Sequence, residues 1–160
     1  MNNKQNDHAD VIAPPPIIFC IFFFTGVILD FIFQADLFPV NERDPALLIP
    51  GYTVIFISLV MVSTSVQNLK KHNTTHKVNE PTSTLVKTGL FKYSRNPIYL
   101  SVIILFVGIS VILNSIIILI LIIPLFFILD RGIIRREEIY LESKFGNEYT
   151  EYKKKVRRWI

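Results

Sequence analysis

The amino-acid sequence predicts an all-α membrane protein with four transmembrane helices, a tight hairpin between the third and fourth, and cytoplasmic and interfacial helices at the C-terminus. Three observations carry this expectation. First, the apolar residues, 51% of 160, fall into blocks: Ile17 to Phe33 is uncharged apart from Asp30, Leu47 to Val66 carries no charge, and Ile98 to Leu129 has no Lys, Arg, Asp or Glu. Second, the last block exceeds the roughly 20 helical residues that span a bilayer's hydrocarbon, so it is expected to fold back at its central polar pair, Asn114 and Ser115. Each half then has about 16 residues, near the short end for a span. Third, the 17 Lys and Arg residues divide sharply: Lys4, Arg43, six between Gln67 and Pro97, and nine from Arg131 onward. Short basic segments stay in the cytoplasm, so the 67–97 loop, the tail and both termini are expected there.

The first 16 residues, polar and then Pro-rich, read as a mobile lead-in, and 17–160 as a single integral-membrane domain. The first span follows "APPPI" and lacks a small-residue cleavage pattern after it, so it is expected to remain as an anchor. Cys20, the only cysteine, excludes an intrachain disulfide and a cysteine metal cluster, and its expected role is packing. Asn73-Thr74-Thr75 fits a glycosylation pattern but falls on the expected cytoplasmic side. His72 and His76 share one helical face, yet two histidines are a weak ligand set, and no metal is expected. Nothing in the pattern points to nucleic acid. The loop at 67–97 is longer than a helix connection needs, which suggests a functional segment.

After the hairpin the chain turns polar while keeping helical spacing. One helix is expected to end at Phe145-Gly146, with Gly as the stop, and a second to begin under an Asn147 cap. In the second, Tyr149, Tyr152, Val156 and Trp159 recur as a stripe among Lys and Arg, a pattern suited to the membrane interface and to anionic lipid. In the stretch "FKYSRNPIYL", Asn96 is a good N-cap and Pro97 is favoured at the first helical position. Arg95 beside that helix start suits a carboxylate or phosphate. Contact with lipid phosphate, with Tyr99 as an interface anchor, explains the same residues. Arg131, Arg135, Glu138 and Glu142 line one helical stripe, while Glu137 falls between Ile134 and Leu141, where a carboxylate needs a cationic partner or an ammonium ligand.

"TLVKTGLFKYSRNPIYL" at 84–100 and "REEIYLESKFGNEYTEYKKKVRRW" at 136–159 together resemble the isoprenylcysteine carboxyl methyltransferase family and its phospholipid methyltransferase relatives, in the bacterial branch. The resemblance covers roughly residues 72–160. It implies S-adenosylmethionine as cofactor, held between the loop before the third membrane helix and the polar helix after the fourth. By position it implies Thr84, Leu85, Val86 and Phe91 as cofactor lining, Asn96, Pro97, Ile98 and Tyr99 in place of an Arg-His-Pro-x-Tyr stretch, and Glu137 as partner of the cofactor's amino group. Asn96 stands where many members have His, Leu90 where Pro is frequent, and Ile133 where eukaryotic members place a basic residue, with Arg131 half a turn earlier as the candidate substitute and substrate contact.

The function implied is methyl transfer to a lipophilic acceptor from the bilayer, a prenylcysteine-like carboxylate or a lipid, at the cytoplasmic face of a bacterial inner membrane. Arg95 and Glu138 are the candidate catalytic residues, Arg95 to orient a carboxylate and Glu138 as a base if the acceptor is an amine. Two alternatives stay open: a membrane reductase using a nicotinamide cofactor, and a non-enzymatic protein binding anionic lipid or a partner through its basic face.

Overall fold

A computed structural model describes residues 11–39, 44–72 and 83–160. The Asn73-Thr74-Thr75 pattern and His76 lie outside the described residues. The described chain is helical: α1 (Pro15–Phe33), α2 (Pro45–Lys71), a 3-10 turn (Gly89–Lys92), α3 (Pro97–Ile112), α4 (Ile116–Ile128), a π turn (Leu129–Ile134), α5 (Arg135–Phe145) and α6 (Asn147–Lys155). Among the described residues there is no strand, only an isolated bridge between Asp36 and Ser115.

Local chemistry sets the helix starts. Pro stands in the first turn of α1, α2 and α3, where its missing N–H is no loss. Asp44 caps α2 by accepting from the Ala46 N–H, and Ser115 caps α4 by accepting from the Ile118 N–H. α1 and α2 are long and apolar enough to cross a membrane, as is the continuous helical rod from Ile116 to Phe145, whereas α3 is a shorter apolar helix.

α2 and α3 pack closely because small residues line their interface. Gly51, Ser58 and Ser65 recur every seven residues on α2, opposite Ser101 and Gly108 of α3, and all five are buried. A Cβ on Gly51 would sit 2.5 Å from Ile112 Cγ1, and one on Gly108 would sit 2.7 Å from Ile55 Cγ1. The Ser58 hydroxyl donates to the Ser101 carbonyl across this seam at 2.7 Å. Small residues that let backbones approach are the usual basis of helix association where hydrophobic burial gives no net drive. The core joins Ile18 of α1, Tyr99, Val102 and Phe106 of α3, Ile118 and Leu125 of α4, and Leu129, Ile133 and Ile134 of the π turn, with Val11 and Ala13 of the lead-in packed against it.

The two ends of the bundle differ. At one, Asn114 adopts φ 50° and its side-chain amide pairs with the Phe38 backbone, accepting at 2.8 Å and donating at 2.9 Å. The α1–α2 loop is thereby fastened to the α3–α4 turn. At the other end gather the start of α3, the loop before it, α5, α6 and the C-terminal residues. Ile12 also belongs there, because a Cβ on Gly132 would meet Ile12 Cδ1 at 2.6 Å.

The C-terminal helices depart from expectation in two ways. Gly146, at φ 52° and ψ −124°, occupies the N-cap position of α6, and Asn147 is already helical, so Asn147 supplies no cap. α6 ends at Lys155, and its aromatic stripe faces protein: Tyr149 and Tyr152 are buried, while Trp159 stacks on Phe126 with ring centroids 4.8 Å apart. Periodicity reported an apolar face correctly, but a hydrogen-bonding loop of the chain covers it.

Candidate functional site

The loop before α3 is held from two sides. On one, α2 fixes Thr88: Asn68 Nδ2 donates to the Thr88 carbonyl at 2.6 Å, and Thr88 Oγ1 donates to Asn68 Oδ1 at 3.1 Å. Gly89 permits this approach, since its φ is +60° and a Cβ there would lie 2.9 Å from Asn68 Nδ2. His72 Nε2 lies 3.1 Å from Thr88 Oγ1, which places it in this fastening. On the other side, the Tyr152 hydroxyl donates to the Phe91 carbonyl at 2.7 Å and Lys87 pairs with Glu148 at 2.8 Å. Burial pushes the Tyr152 phenol up to about 12, so it remains a neutral donor.

The C-terminal residues zip onto the same loop. The Arg95 N–H donates to the Arg157 carbonyl at 3.0 Å, while Asn96 Nδ2 and Ser94 Oγ donate to the Arg158 carbonyl at 3.1 and 3.3 Å. Asn96 occupies the N-cap position of α3, but its side chain makes no cap hydrogen bond. Its amide is spent instead on the C-terminal segment.

Beneath this zipper lies a charge cluster. Arg95 Nη2 meets Glu138 Oε1 at 2.9 Å, both side chains more than nine-tenths buried. Arg158 forks onto the same carboxylate, with Nε to Oε1 at 3.2 Å and Nη2 to Oε2 at 2.6 Å. Its Nη1 reaches both oxygens of Asp130 at 3.1 Å, and Trp159 Nε1 donates to Asp130 at 3.0 Å. Hydrogen bonding to Glu138 first, and Asp130 further, raises the Arg158 guanidinium above its ordinary value. Next to the cluster, the Tyr99 hydroxyl donates to Glu137 Oε1 at 2.6 Å. Arg95 Nε and Nη1 are buried and find no acceptor among the described residues. A buried donor without an acceptor costs about 1–3 kcal/mol, and such groups in folded proteins are few. The pair therefore suits a ligand that carries acceptor oxygens.

Of the residues singled out from sequence, the fold brings Arg95, Asn96, Tyr99, Glu137 and Glu138 together by the contacts above. Val86, Phe91 and Pro97 are buried nearby in the chain, Leu85 and Ile98 are half-buried, and Thr84 is exposed. Arg131 is placed elsewhere: it is exposed, with its guanidinium carbon 5.3 Å from the Phe127 ring centroid. The π turn sends Asp130 toward the cluster and its neighbour Arg131 away from it. Ile133 is fully buried in the core. The second cation of the site is Arg158, which sequence alone did not single out, nor Asp130, while Trp159 stood out only as part of the aromatic stripe. Asp130 did carry a signal, since it is the first charge after the uncharged run from Ile98 to Leu129 and a carboxylate so placed needs a partner.

Fold and cluster together define a polytopic helical membrane protein with a polar, charge-lined site at one end of its bundle. Residues 46–148 match the phospholipid methyltransferase family, to which the chain belongs. A protein-S-isoprenylcysteine O-methyltransferase of Saccharomyces cerevisiae is 35% identical over 113 residues, 65% of this chain and 46% of that protein. An uncharacterized protein of Haemophilus influenzae is 74% identical over 27 residues, 17% of this chain and 43% of its own length. The solved structure of a eukaryotic intramembrane Ras methyltransferase, isoprenylcysteine carboxyl methyltransferase, superposes with a TM-score of 0.66 at 24% identity, covering 100% of this chain and 53% of that one. The chain thus spans about half the length of these relatives.

Proposed function

We propose that the protein is an S-adenosylmethionine-dependent membrane methyltransferase with four membrane crossings, acting on a lipophilic acceptor at the cytoplasmic face. The observation that carries this reading is the pair of buried, unpartnered Arg95 N–H groups, on a side chain held by Glu138, together with the Tyr99-bound carboxylate of Glu137, the residue that precedes Glu138. Family membership supports the reaction class. The cofactor's carboxylate and amino group match these two partners in charge, so the residues present fit it. Bound there, the cofactor supplies an electrophilic methyl group.

Glu137, oriented by Tyr99, holds the amino end, and Arg95 holds a carboxylate. Val86 and Phe91, the buried residues of the loop fixed by Asn68 and Tyr152, shield the site from water, which strengthens each of these charged contacts. Both oxygens of Glu138 are engaged by guanidinium groups, which leaves neither aimed at an acceptor's proton. A carboxylate acceptor, prenylcysteine-like, needs no proton removed, and the site favours it over an amine lipid on that ground.

Calorimetry of the detergent-purified chain with S-adenosylhomocysteine and with a reduced nicotinamide cofactor tests the proposal. Binding of the first alone is expected. Preference for the nicotinamide, or binding of neither, would reject it.

A further inference from the structure

We infer that Arg158 is a positioning residue for Arg95: by taking both oxygens of Glu138 in a fork, it confines Arg95 to one contact and keeps Arg95 Nε and Nη1 available to the ligand. The inference rests on the proposed cofactor site and adds to it a residue from the C-terminal segment. Glu138 is shared unequally. Arg158 reaches Oε1 and Oε2 through Nε and Nη2, whereas Arg95 reaches only Oε1 through Nη2. A guanidinium and a carboxylate pair most favourably two-by-two. Without the Arg158 fork, Glu138 is free to take Arg95 in that arrangement, through Nη2 and one of the two donors, Nε or Nη1, that are now open.

Arg158 is in turn fixed from three directions. Asp130 binds its Nη1 with both oxygens, Trp159 binds Asp130 through Nε1 while stacked on Phe126, and Ser94 and Asn96 hold its backbone carbonyl. Two guanidinium groups and two carboxylates compose the cluster, so Arg158 and Asp130 together enlarge it without changing its net charge.

The test compares Arg158→Lys, Arg95→Lys and the double variant of the full chain in detergent. Lysine keeps the charge but cannot form the fork. S-adenosylhomocysteine affinity is expected to fall about tenfold or more in Arg158→Lys. In the Arg95→Lys background the same change is expected to add less than about twofold, because residues that act through one contact are not additive. Additive losses, or undiminished affinity in Arg158→Lys, would overturn the inference. Emission from Trp159, the only tryptophan, is expected to keep the character of an indole stacked on Phe126; a move to the emission of a solvent-exposed tryptophan would assign the loss to a loosened tail and overturn the inference equally. Nitrogen NMR of isotope-labelled arginine supplies an arm that needs no cofactor: the Arg95 Nε–H or Nη1–H resonance moves in Arg158→Lys as Glu138 turns to it, and resonances that all stay in place reject the fork. Should the unaltered protein bind no S-adenosylhomocysteine, the proposed function falls while this arm still decides the role of Arg158.

Discussion

Glu137 and Glu142 are carboxylates of the same helix with different surroundings. Glu137 is half-buried under Tyr99, whereas Glu142 is exposed and pairs with Lys153 at 3.0 Å. Glu137→Gln is therefore expected to weaken S-adenosylhomocysteine binding by about 1.5–3 kcal/mol, against about 0–1 kcal/mol for Glu142→Gln. Titration calorimetry on both variants checks this, and equal losses would remove Glu137 from the site. Asn96 gives a second contrast. From sequence alone, Asp and Ser are interchangeable caps for α3, but in the structure the Asn96 amide donates to the Arg158 carbonyl. An ionised Asp there faces that carbonyl with no proton to offer, so Asn96→Asp is expected to destabilise by about 1–3 kcal/mol. Thermal unfolding in detergent would show it, and a midpoint equal to the parent's would return Asn96 to simple capping. Glu137 was legible in sequence because it interrupts an apolar stripe. Arg158 was not, because in "KKKVRRW" it looks like every other cation of a basic run, and only tertiary approach selects one.

At the scale of elements, the apolar blocks announced themselves by composition, since a bilayer demands long uncharged stretches. The seam between α2 and α3 did not. Gly51, Ser58 and Ser65 are spaced for it, but their spacing means nothing until the partner positions Ser101 and Gly108 are known. Gly108→Val is expected to destabilise the fold by about 1–3 kcal/mol, because the added atoms press on Ile55 and on the Gly51 carbonyl, 3.1 Å from a Cβ at that position. A lowered unfolding midpoint checks the seam, and an unchanged one would mean that the two helices separate at no cost. The aromatic stripe of α6 illustrates the opposite failure. Helical spacing identified Tyr149 and Tyr152 as one face, yet no periodicity distinguishes a face that meets lipid from one that meets the Phe91 carbonyl. The discriminating fact is a hydrogen bond to a residue 61 positions earlier.

For the molecule as a whole, Ile12 against Gly132 and Arg158 against Asn96 place both ends of the described chain at the site end of the bundle. With the described basic residues Lys87 and Arg95 and the basic tail also there, a reporter fused after Ile160 is expected to register in the cytoplasm, and an external signal would invert the topology. The rod from Ile116 to Phe145 adds a dimension to this arrangement. Its 30 residues extend about 45 Å at 1.5 Å per residue, while the hydrocarbon is about 30 Å thick. Its far end is tied down where Asn114 grips the α1–α2 loop, so the excess length emerges on the other side. Its first charges after the uncharged run, Asp130 and the exposed Arg131, mark where the hydrocarbon is expected to stop, so the acidic pair is expected just beyond that boundary. The rod is in this sense a depth gauge. A thicker bilayer draws the acidic pair toward oil and a thinner one lifts it among the headgroups, so the thickness of the host membrane, through mismatch worth fractions of a kcal/mol per ångström, becomes a coordinate of the site.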